Sequence, residues 1–157
     1  MLFRSERYTI LLEPGRSIVG EAGVLLTRVL DRKANGDKNF VIVDAAMNDL
    51  LRPALYGSHH QILPLRKRRG RSLVADVVGP VCETGDFLAR DRRLAPVEPG
   101  DLLAISTAGA YASSLGSNYN SRRRPPEVLV EGNRFRLLRR RETYSDLVKN
   151  EIGRAHV

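Results

Sequence analysis

Short apolar segments recur along this chain at regular intervals, and each is bounded by a turn rich in glycine, proline or asparagine. They contain many of the β-branched residues that strands favour. One pair flanks the turn KANGDKN, whose Asn35-Gly36 dipeptide is typical of a β-hairpin. Regularly spaced short strands predict a closed or nearly closed β-barrel. The predicted strands are 8–12, 24–30, 40–44, 61–65, 72–78, 101–106, 127–131 and 134–139.

Helix is scarce in the predicted fold, so the chain is expected to be mainly β. One helical turn is predicted over 17–22 and another over 50–56, with Asn48 or Asp49 as the N-cap of the second. A short terminal helix is predicted over 143–150, beginning at Thr143 or Ser145.

Composition bounds the class of protein and its compartment. A chain of 157 residues that is 42% hydrophobic can form one domain with a real core. No apolar run is long enough to cross a bilayer and no signal peptide is evident, so we expect a cytoplasmic protein without a membrane partner. The single cysteine and the three histidines show no metal-ligand spacing, which predicts no metal site, and His59 and His60 are interpreted as loop residues.

The net charge of +8 raises the possibility of a nucleic-acid partner. The basic residues form three runs, at 66–71, 122–124 and 139–141. The first surrounds Gly70 and the second precedes two prolines, so neither is expected to present a helix face to a groove. Aromatic content of 6% gives little support for base stacking. We therefore expect no nucleic-acid partner and interpret the runs as a solvated surface.

The two ends of the chain do not continue the pattern of their neighbours. The opening MLFRS, residues 1–5, and the closing IGRAHV, residues 152–157, resemble translated sequencing-adapter ends. They are excluded from the fold prediction. We expect the biological segment to be a fragment of a longer protein.

Four polar, glycine-containing stretches interrupt the strand pattern and are candidates for a functional site. In Glu13-Pro14-Gly15-Arg16, the glycine lets backbone amides approach an anion and the arginine supplies a positive fork, although such a sequence is also a common surface turn. In NDLLRPALYG, residues 48–57, Arg52 and Tyr56 are four apart and share one face of a helical turn. That face could hold a carboxylate between guanidinium and phenol.

The other two stretches follow later strands. GPVCETGD, residues 79–86, places the only cysteine, Cys82, beside Glu83. A lone cysteine in such a segment is more often a small core residue than a reactive one. In AGAY, residues 108–111, small residues could let the backbone pass close to a ligand while Tyr111 offers a hydroxyl.

Taken together and in this order, these stretches resemble the C-terminal part of the diaminopimelate decarboxylase family, pyridoxal-phosphate enzymes of the alanine-racemase-like fold type. The resemblance runs from Glu13 to about Leu147. Ala108 and Thr84 stand where the family more often has threonine and serine. The motifs that carry the resemblance are EPGR, NDLLRPALYG, GPVCETGD, AGAY, SNYNSR, PPEVLV and RLLRRRET.

The resemblance implies a two-domain parent, in which a (β/α)8 barrel that binds the cofactor precedes a C-terminal β-barrel. Residues 6–23 would be the last strand and loop of the first barrel, and residues 24–151 the β-barrel domain. The family's cofactor-linking lysine lies upstream of this segment, so we expect the segment alone to be inactive.

The resemblance also implies roles for the residues that match its motifs. Glu13 and Pro14 would lie at the cofactor, with Glu13 facing the pyridine nitrogen. Gly15 and Arg16 would meet the cofactor phosphate, and Arg16 would also lie near the substrate. The remaining substrate contacts would come from Arg52 and Tyr56 at the distal end of meso-diaminopimelate, Glu83 at its distal ammonium, and Tyr111, which would touch cofactor and substrate.

Cys82 is the residue whose interpretation the resemblance changes most. The matching cysteine in the family donates the proton that replaces the departing carbon dioxide, and a thiol suits this task because its pKa shifts readily with local charge. In the family's homodimers the cysteine and glutamate reach the active site of the other subunit.

Two alternatives stay open at the level of sequence. The first is a related ornithine or arginine decarboxylase. Arg52 argues against it, because an arginine at this position would have the second carboxylate of a diacid to bind, and the residues that follow Cys82 argue against it too. The second is a basic β-barrel module that binds RNA, which would lose affinity steeply with salt.

Overall fold

The computed structural model describes residues 9–153. Most of the residues interpreted as adapter translations, 1–5 and 154–157, therefore lie outside the described part, as does Tyr8. Six strands form the main sheet, in the spatial order β3-β6-β1-β2-β4-β5. Their bounds are β1 Leu25–Asn35, β2 Lys38–Val43, β3 Ile62–Pro64, β4 Leu73–Val78, β5 Phe87–Leu94 and β6 Leu102–Ile105.

The main sheet is nearly closed into a barrel. Its neighbouring strands are antiparallel except for β2 and β4, which are parallel. The two end strands are linked, because the Arg92 guanidinium of β5 donates a 2.7 Å hydrogen bond to the carbonyl of His60, just before β3. The prediction of a mainly β, barrel-like domain is confirmed.

The barrel encloses one apolar core. Val41 and Val43 of β2, Val77 of β4 and Leu103 and Ile105 of β6 are fully buried and belong to the same cluster. Each such side chain stabilises the fold by about 1.5–3 kcal/mol relative to an exposed one. The core therefore depends on alternate residues of strands that are far apart in sequence.

A separate hairpin follows the barrel. It consists of β7, Glu127–Glu131, and β8, Arg134–Arg139, paired antiparallel around a turn at Gly132. Both strands have the predicted bounds. The helices are short: α1 Arg16–Val19, α2 Arg52–Tyr56 and α3 Tyr144–Val148, with 3-10 turns at Gly20–Ala22 and Tyr119–Ser121.

The predicted hairpin around Asn35-Gly36 is present, but its arms are longer than expected. β1 continues through Asn35 and β2 begins at Lys38, which leaves a two-residue turn with Gly36 at a φ of +57°. α3 starts as predicted: the Thr143 hydroxyl accepts from the Asp146 amide, and the Asp146 carboxylate accepts from the Thr143 amide.

Two predictions about local structure are wrong, and one strand was missed. Residues 9–12 form no strand, and Leu11 and Leu12 are exposed, because no neighbouring strand in the described chain pairs with them. Neither Asn48 nor Asp49 caps α2, since the Asp49 carboxylate accepts from the Ala46 amide instead and Leu51 is the N-cap. Strand β5 was not predicted at all.

Candidate functional site

Arg52 lies between two aromatic rings. Its guanidinium carbon is 5.1 Å from the ring centre of Tyr56, one turn along α2, and 5.4 Å from that of Tyr111. A cation over two π faces is held by their quadrupoles while its N–H edges stay available. The shared face predicted for Arg52 and Tyr56 is confirmed, and Tyr111 joins it; the substrate roles of the three stay predictions.

Gly15 brings the start of the described chain to the same place. A Cβ on Gly15 would be 2.5 Å from the hydroxyl oxygen of Tyr111, so a larger residue here would have to displace that phenol. Arg16 follows and begins α1. Glu13 and Pro14 precede it in an exposed, irregular segment. The structure therefore places Gly15 beside Tyr111. Among the described residues, no hydrogen bond or ion pair involves the Glu13 side chain.

Backbone hydrogen bonds tie this N-terminal segment to the AGAY stretch. The Gly109 amide donates to the Gly20 carbonyl at 3.0 Å and the Ala108 amide to the Gly23 carbonyl at 2.8 Å. A Cβ on Gly109 would collide with the carbonyl oxygen of Val19. Gly109 thus serves a contact between two stretches of this chain, and the approach of this backbone to a ligand stays a prediction.

His60 is fully buried, which its interpretation as an ordinary loop residue did not predict. Its Nδ1 is 2.9 Å from the Ser106 carbonyl oxygen, which can only accept, so Nδ1 carries the proton. Burial lowers the pKa of His60, and the charges of Arg52 and Arg16 lower it further. The imidazole is therefore neutral and lies near both arginines. No spacing or motif in the sequence indicated this position.

The loop between β4 and β5 is held from inside by Asp86. Its buried carboxylate accepts hydrogen bonds from the amides of Met47, at 2.7 Å, and Val81, at 2.6 Å. Gly79 packs so closely on this carboxylate that a Cβ would be 2.5 Å from one oxygen. The flanking glycine and aspartate of GPVCETGD thus build the loop, and Cys82 is exposed within it. The interpretation of Cys82 as a core residue is excluded.

Glu83 is kept ionised by its neighbours. Hydrogen bonds from the Gly85 amide, the Thr84 hydroxyl and the Tyr119 hydroxyl lower its pKa. The same contact with Glu83 raises the pKa of Tyr119. Threonine at position 84 keeps the hydroxyl that a serine would supply. Tyr119 was not predicted as a site residue, although the SNYNSR motif contained it.

Apart from Glu13 and Pro14, the predicted site residues form two groups in the structure. One contains Gly15, Arg52, Tyr56 and Tyr111, with Arg16 and His60 near it. The other is the loop with Cys82 and Glu83, which contacts Tyr119. Within residues 9–153, no hydrogen bond, ion pair or ring contact joins a member of one group to a member of the other.

The arginine runs are only partly a solvated surface. Arg68 makes two hydrogen bonds to the Asp101 carboxylate, at 2.6 and 2.8 Å. Arg122 donates to Asn48 and to the Asp44 carbonyl, and Arg124 pairs with Glu142. These residues hold loops in place, so the interpretation of the runs as merely solvated is wrong for them.

Residues 9–153 contain neither a cluster of metal ligands nor a membrane-spanning helix. Between Thr9 and Gly153, no three histidine, cysteine, aspartate or glutamate side chains converge as they would around a metal ion. No helix there is long and apolar enough to cross a membrane.

Residues 17–109 match the family model described as the C-terminal sheet domain of pyridoxal-dependent decarboxylases. A diaminopimelate decarboxylase from Neisseria meningitidis serogroup A is 56% identical over 152 residues, covering 97% of this chain and 37% of the relative. The crystal structure of AQ1208 from Aquifex aeolicus has a TM-score of 0.88 and 49% identity, covering 94% of this chain and 37% of that one.

A third match carries a bound small molecule. The crystal structure of diaminopimelate decarboxylase from Helicobacter pylori complexed with L-lysine has a TM-score of 0.80 and 48% identity, covering 87% of this chain and 34% of that one. This chain therefore spans little more than a third of the length of the relatives it matches.

Proposed function

Because this chain belongs to the pyridoxal-dependent decarboxylases, as their C-terminal sheet domain, we propose that it is part of a diaminopimelate decarboxylase. The parent protein removes carbon dioxide from meso-2,6-diaminopimelate and releases L-lysine, the last step of lysine biosynthesis. The observation that carries the proposal is the cluster in which Arg52 lies between Tyr56 and Tyr111, with Gly15 against the Tyr111 hydroxyl. The L-lysine bound to the Helicobacter pylori relative supports the product assignment.

The residues present fit a pyridoxal 5'-phosphate. The Gly15 backbone lies close to the Tyr111 hydroxyl, and Arg16, the next residue, supplies a guanidinium. Phosphate oxygens accept from such donors. Gly15, Arg16 and Tyr111 would hold the cofactor, together with Pro14 and with Glu13 at its ring nitrogen. When bound, the cofactor accepts the electrons of the breaking bond to the carboxyl group.

Arg52 gives the site its preference for a diacid. Its charge, held between two rings, binds the carboxylate at the distal end of meso-diaminopimelate, with Tyr56 and Arg16 beside it. Ornithine has no carboxylate there, so it leaves the guanidinium without a partner. Removing such a charge-assisted contact costs about 1.5–3 kcal/mol, or roughly ten- to a hundredfold in binding.

Cys82 and Glu83 complete the site from a second copy of the protein. Glu83, held ionised, binds the distal ammonium, and the Cys82 thiol gives its proton to the carbon that loses carbon dioxide, then regains one from solvent. The exposed loop supports this arrangement because, within residues 9–153, no hydrogen bond, ion pair or ring contact joins it to the Arg52 cluster of its own chain. The parent is therefore a homodimer with shared active sites.

We also propose a cytoplasmic enzyme with no nucleic-acid or membrane partner. A single cysteine needs no oxidising compartment. Arg68, Arg122 and Arg124 are occupied by acceptors of their own chain, which leaves less of the basic surface for a polyanion.

The test is an assay of the full-length parent with meso-diaminopimelate, ornithine and arginine. We expect activity with the first only, and an Arg52→Met variant to raise its KM about tenfold or more, with Arg52→Lys between the two because it keeps the charge but loses the planar fork. Preference for ornithine, or an unchanged KM in Arg52→Met, would contradict the proposal.

A further inference from the structure

Two buried side-chain nitrogens in the described chain have no hydrogen-bond partner, and they complement each other. They are Nε of Arg52 and Nε2 of His60. Arg52 Nε carries a hydrogen and can only donate. His60 Nε2 is a bare lone pair, because the ring proton is on Nδ1 and points to the Ser106 carbonyl. Leaving both groups unpaired in the interior is costly, which is why such pairs are rare.

The same two segments position both side chains. Arg52 Nη2 donates to the Ser58 hydroxyl at 3.3 Å, and Ser58 lies two residues before His60. On the other side, the Ser106 carbonyl holds His60, and Tyr111 of the same loop stacks on Arg52. Both side chains are therefore held by contacts with the same two stretches of chain, 58–60 and 106–111.

The imidazole is also in the right ionisation state to face a cation. Burial lowers the pKa of His60, and the charges of Arg52 and Arg16 act in the same direction. A neutral imidazole at working pH offers its lone pair to an N–H donor without repulsion between two positive groups.

We propose that His60 is a positioning residue for Arg52, accepting a hydrogen bond at Nε2 from Arg52 Nε when the Nη nitrogens engage a substrate carboxylate. This rests on the proposed function, which assigns Arg52 the distal carboxylate. The contact fixes the plane of the guanidinium, so that both terminal nitrogens point at the ligand. His60 never touches the substrate.

Two near-isosteric variants of the full-length parent separate this role from a merely structural one. His60→Gln can place an acceptor near the position of Nε2, whereas His60→Asn keeps a donor near Nδ1 for the Ser106 carbonyl. We expect His60→Asn to raise the KM for meso-diaminopimelate about tenfold with kcat within about twofold, since one hydrogen bond to a charged group is lost. We expect His60→Gln to keep KM within about threefold.

The opposite ranking would overturn the inference. If His60 only anchors its loop to Ser106, His60→Asn will keep the wild-type KM and His60→Gln will lose thermal stability and activity together. Equal KM values for the two variants would overturn it as well, because Nε2 would then have no separate role.

A spectroscopic measurement does not depend on turnover. In ¹⁵N-histidine-labelled parent protein, saturating L-lysine should shift the His60 Nε2 resonance, and the shift should vanish in Arg52→Met while Nδ1 stays unchanged. Calorimetry establishes that L-lysine binds. Binding without a shift at Nε2 would overturn the His60 role and leave the proposed function standing; absence of both binding and decarboxylation would overturn the proposed function itself, and this inference with it.

Discussion

The barrel and the β7–β8 hairpin are both built from alternating apolar strands, yet they end up in different environments. In the barrel, the alternate residues of β2 and β6 meet in a core where Val41 and Leu103 have no exposed surface. In the hairpin, the cross-strand pairs Val128 with Leu137 and Val130 with Phe135 lie on one face. That face is open to solvent, with Phe135 80% exposed.

The opposite face of the hairpin carries most of its charged residues, together with Leu129. Glu131 pairs across the strands with Arg134, and Leu129 with Arg136, whose guanidinium is 4.0 Å from the Glu131 carboxylate. The hairpin is thus amphipathic, but its more apolar face is exposed to solvent in this chain. The comparison teaches that alternation specifies a strand and its two faces, whereas burial depends on what packs against each face.

The largest expected effect on stability comes from truncating a side chain in the core. Leu103→Ala should lower the free energy of unfolding of the chain by about 3 kcal/mol, because it removes a fully buried side chain and leaves a cavity. Phe135→Ala, the matched truncation in the hairpin, should change it by less than about 1 kcal/mol. Urea unfolding followed by circular dichroism measures both.

Similar losses from the two truncations would show that the Phe135 side chain contributes to a core. The comparison becomes sharper if both variants are also measured in the full-length parent. There, a larger cost for Phe135→Ala than in this chain would mean that another part of the parent covers the hairpin face.

The contrast between strands also explains what could be predicted from sequence. β7 and β8 were predicted with their observed bounds because apolar runs and turn residues delimit them. β5, FLARDRRL, was missed because its arginines obscure the inward-facing Leu88 and Leu94. The strand is further interrupted at Asp91, which has a φ of +45° and whose amide donates to the Asp76 carboxylate.

The candidate site also combines features that could be predicted from the sequence with features that could not. The shared face of Arg52 and Tyr56 follows from helical spacing, so the sequence predicted it. The burial of His60 and the contact between Gly15 and Tyr111 could not be predicted, because they join segments about 50 to 100 residues apart. The exposure of Cys82 depends on the Asp86 carboxylate, whose role inside the loop has no signature in the motif.

A smaller effect is expected where two backbones touch. Gly109→Ala should cost about 2 kcal/mol or more, since its Cβ meets the Val19 carbonyl and neither segment can move without breaking the hydrogen bonds between them. Gly36→Ala is the control: its φ is +57° but nothing lies near its Cβ, so only backbone strain of about 1 kcal/mol remains. Thermal unfolding of the two variants should rank them in that order, and an equal cost would exclude the packing explanation.

The smallest expected effect is on the pH dependence of stability. It is tested by comparing two ion pairs, one in the barrel and one in the hairpin. Hydrogen bonds from Arg68, and then from the Glu98 amide, lower the pKa of Asp101 from 3.8 to about 2. A carboxyl whose folded pKa is depressed contributes stability in full above its unfolded pKa, and loses it as pH falls from about 4 to about 2. Asp101→Asn should therefore flatten the acid side of the stability profile.

The hairpin pair should show no such signature. Glu131 and Arg136 are both largely exposed and 4.0 Å apart, so Glu131→Gln should change the free energy of unfolding by less than about 0.5 kcal/mol at neutral pH. Urea midpoints measured between about pH 5 and pH 2 compare the two variants with the wild type. If Glu131→Gln flattened the acid limb as much as Asp101→Asn, the hairpin charges would be as firmly held as those of the barrel, and the distinction between a packed and an uncovered region would fail for electrostatics.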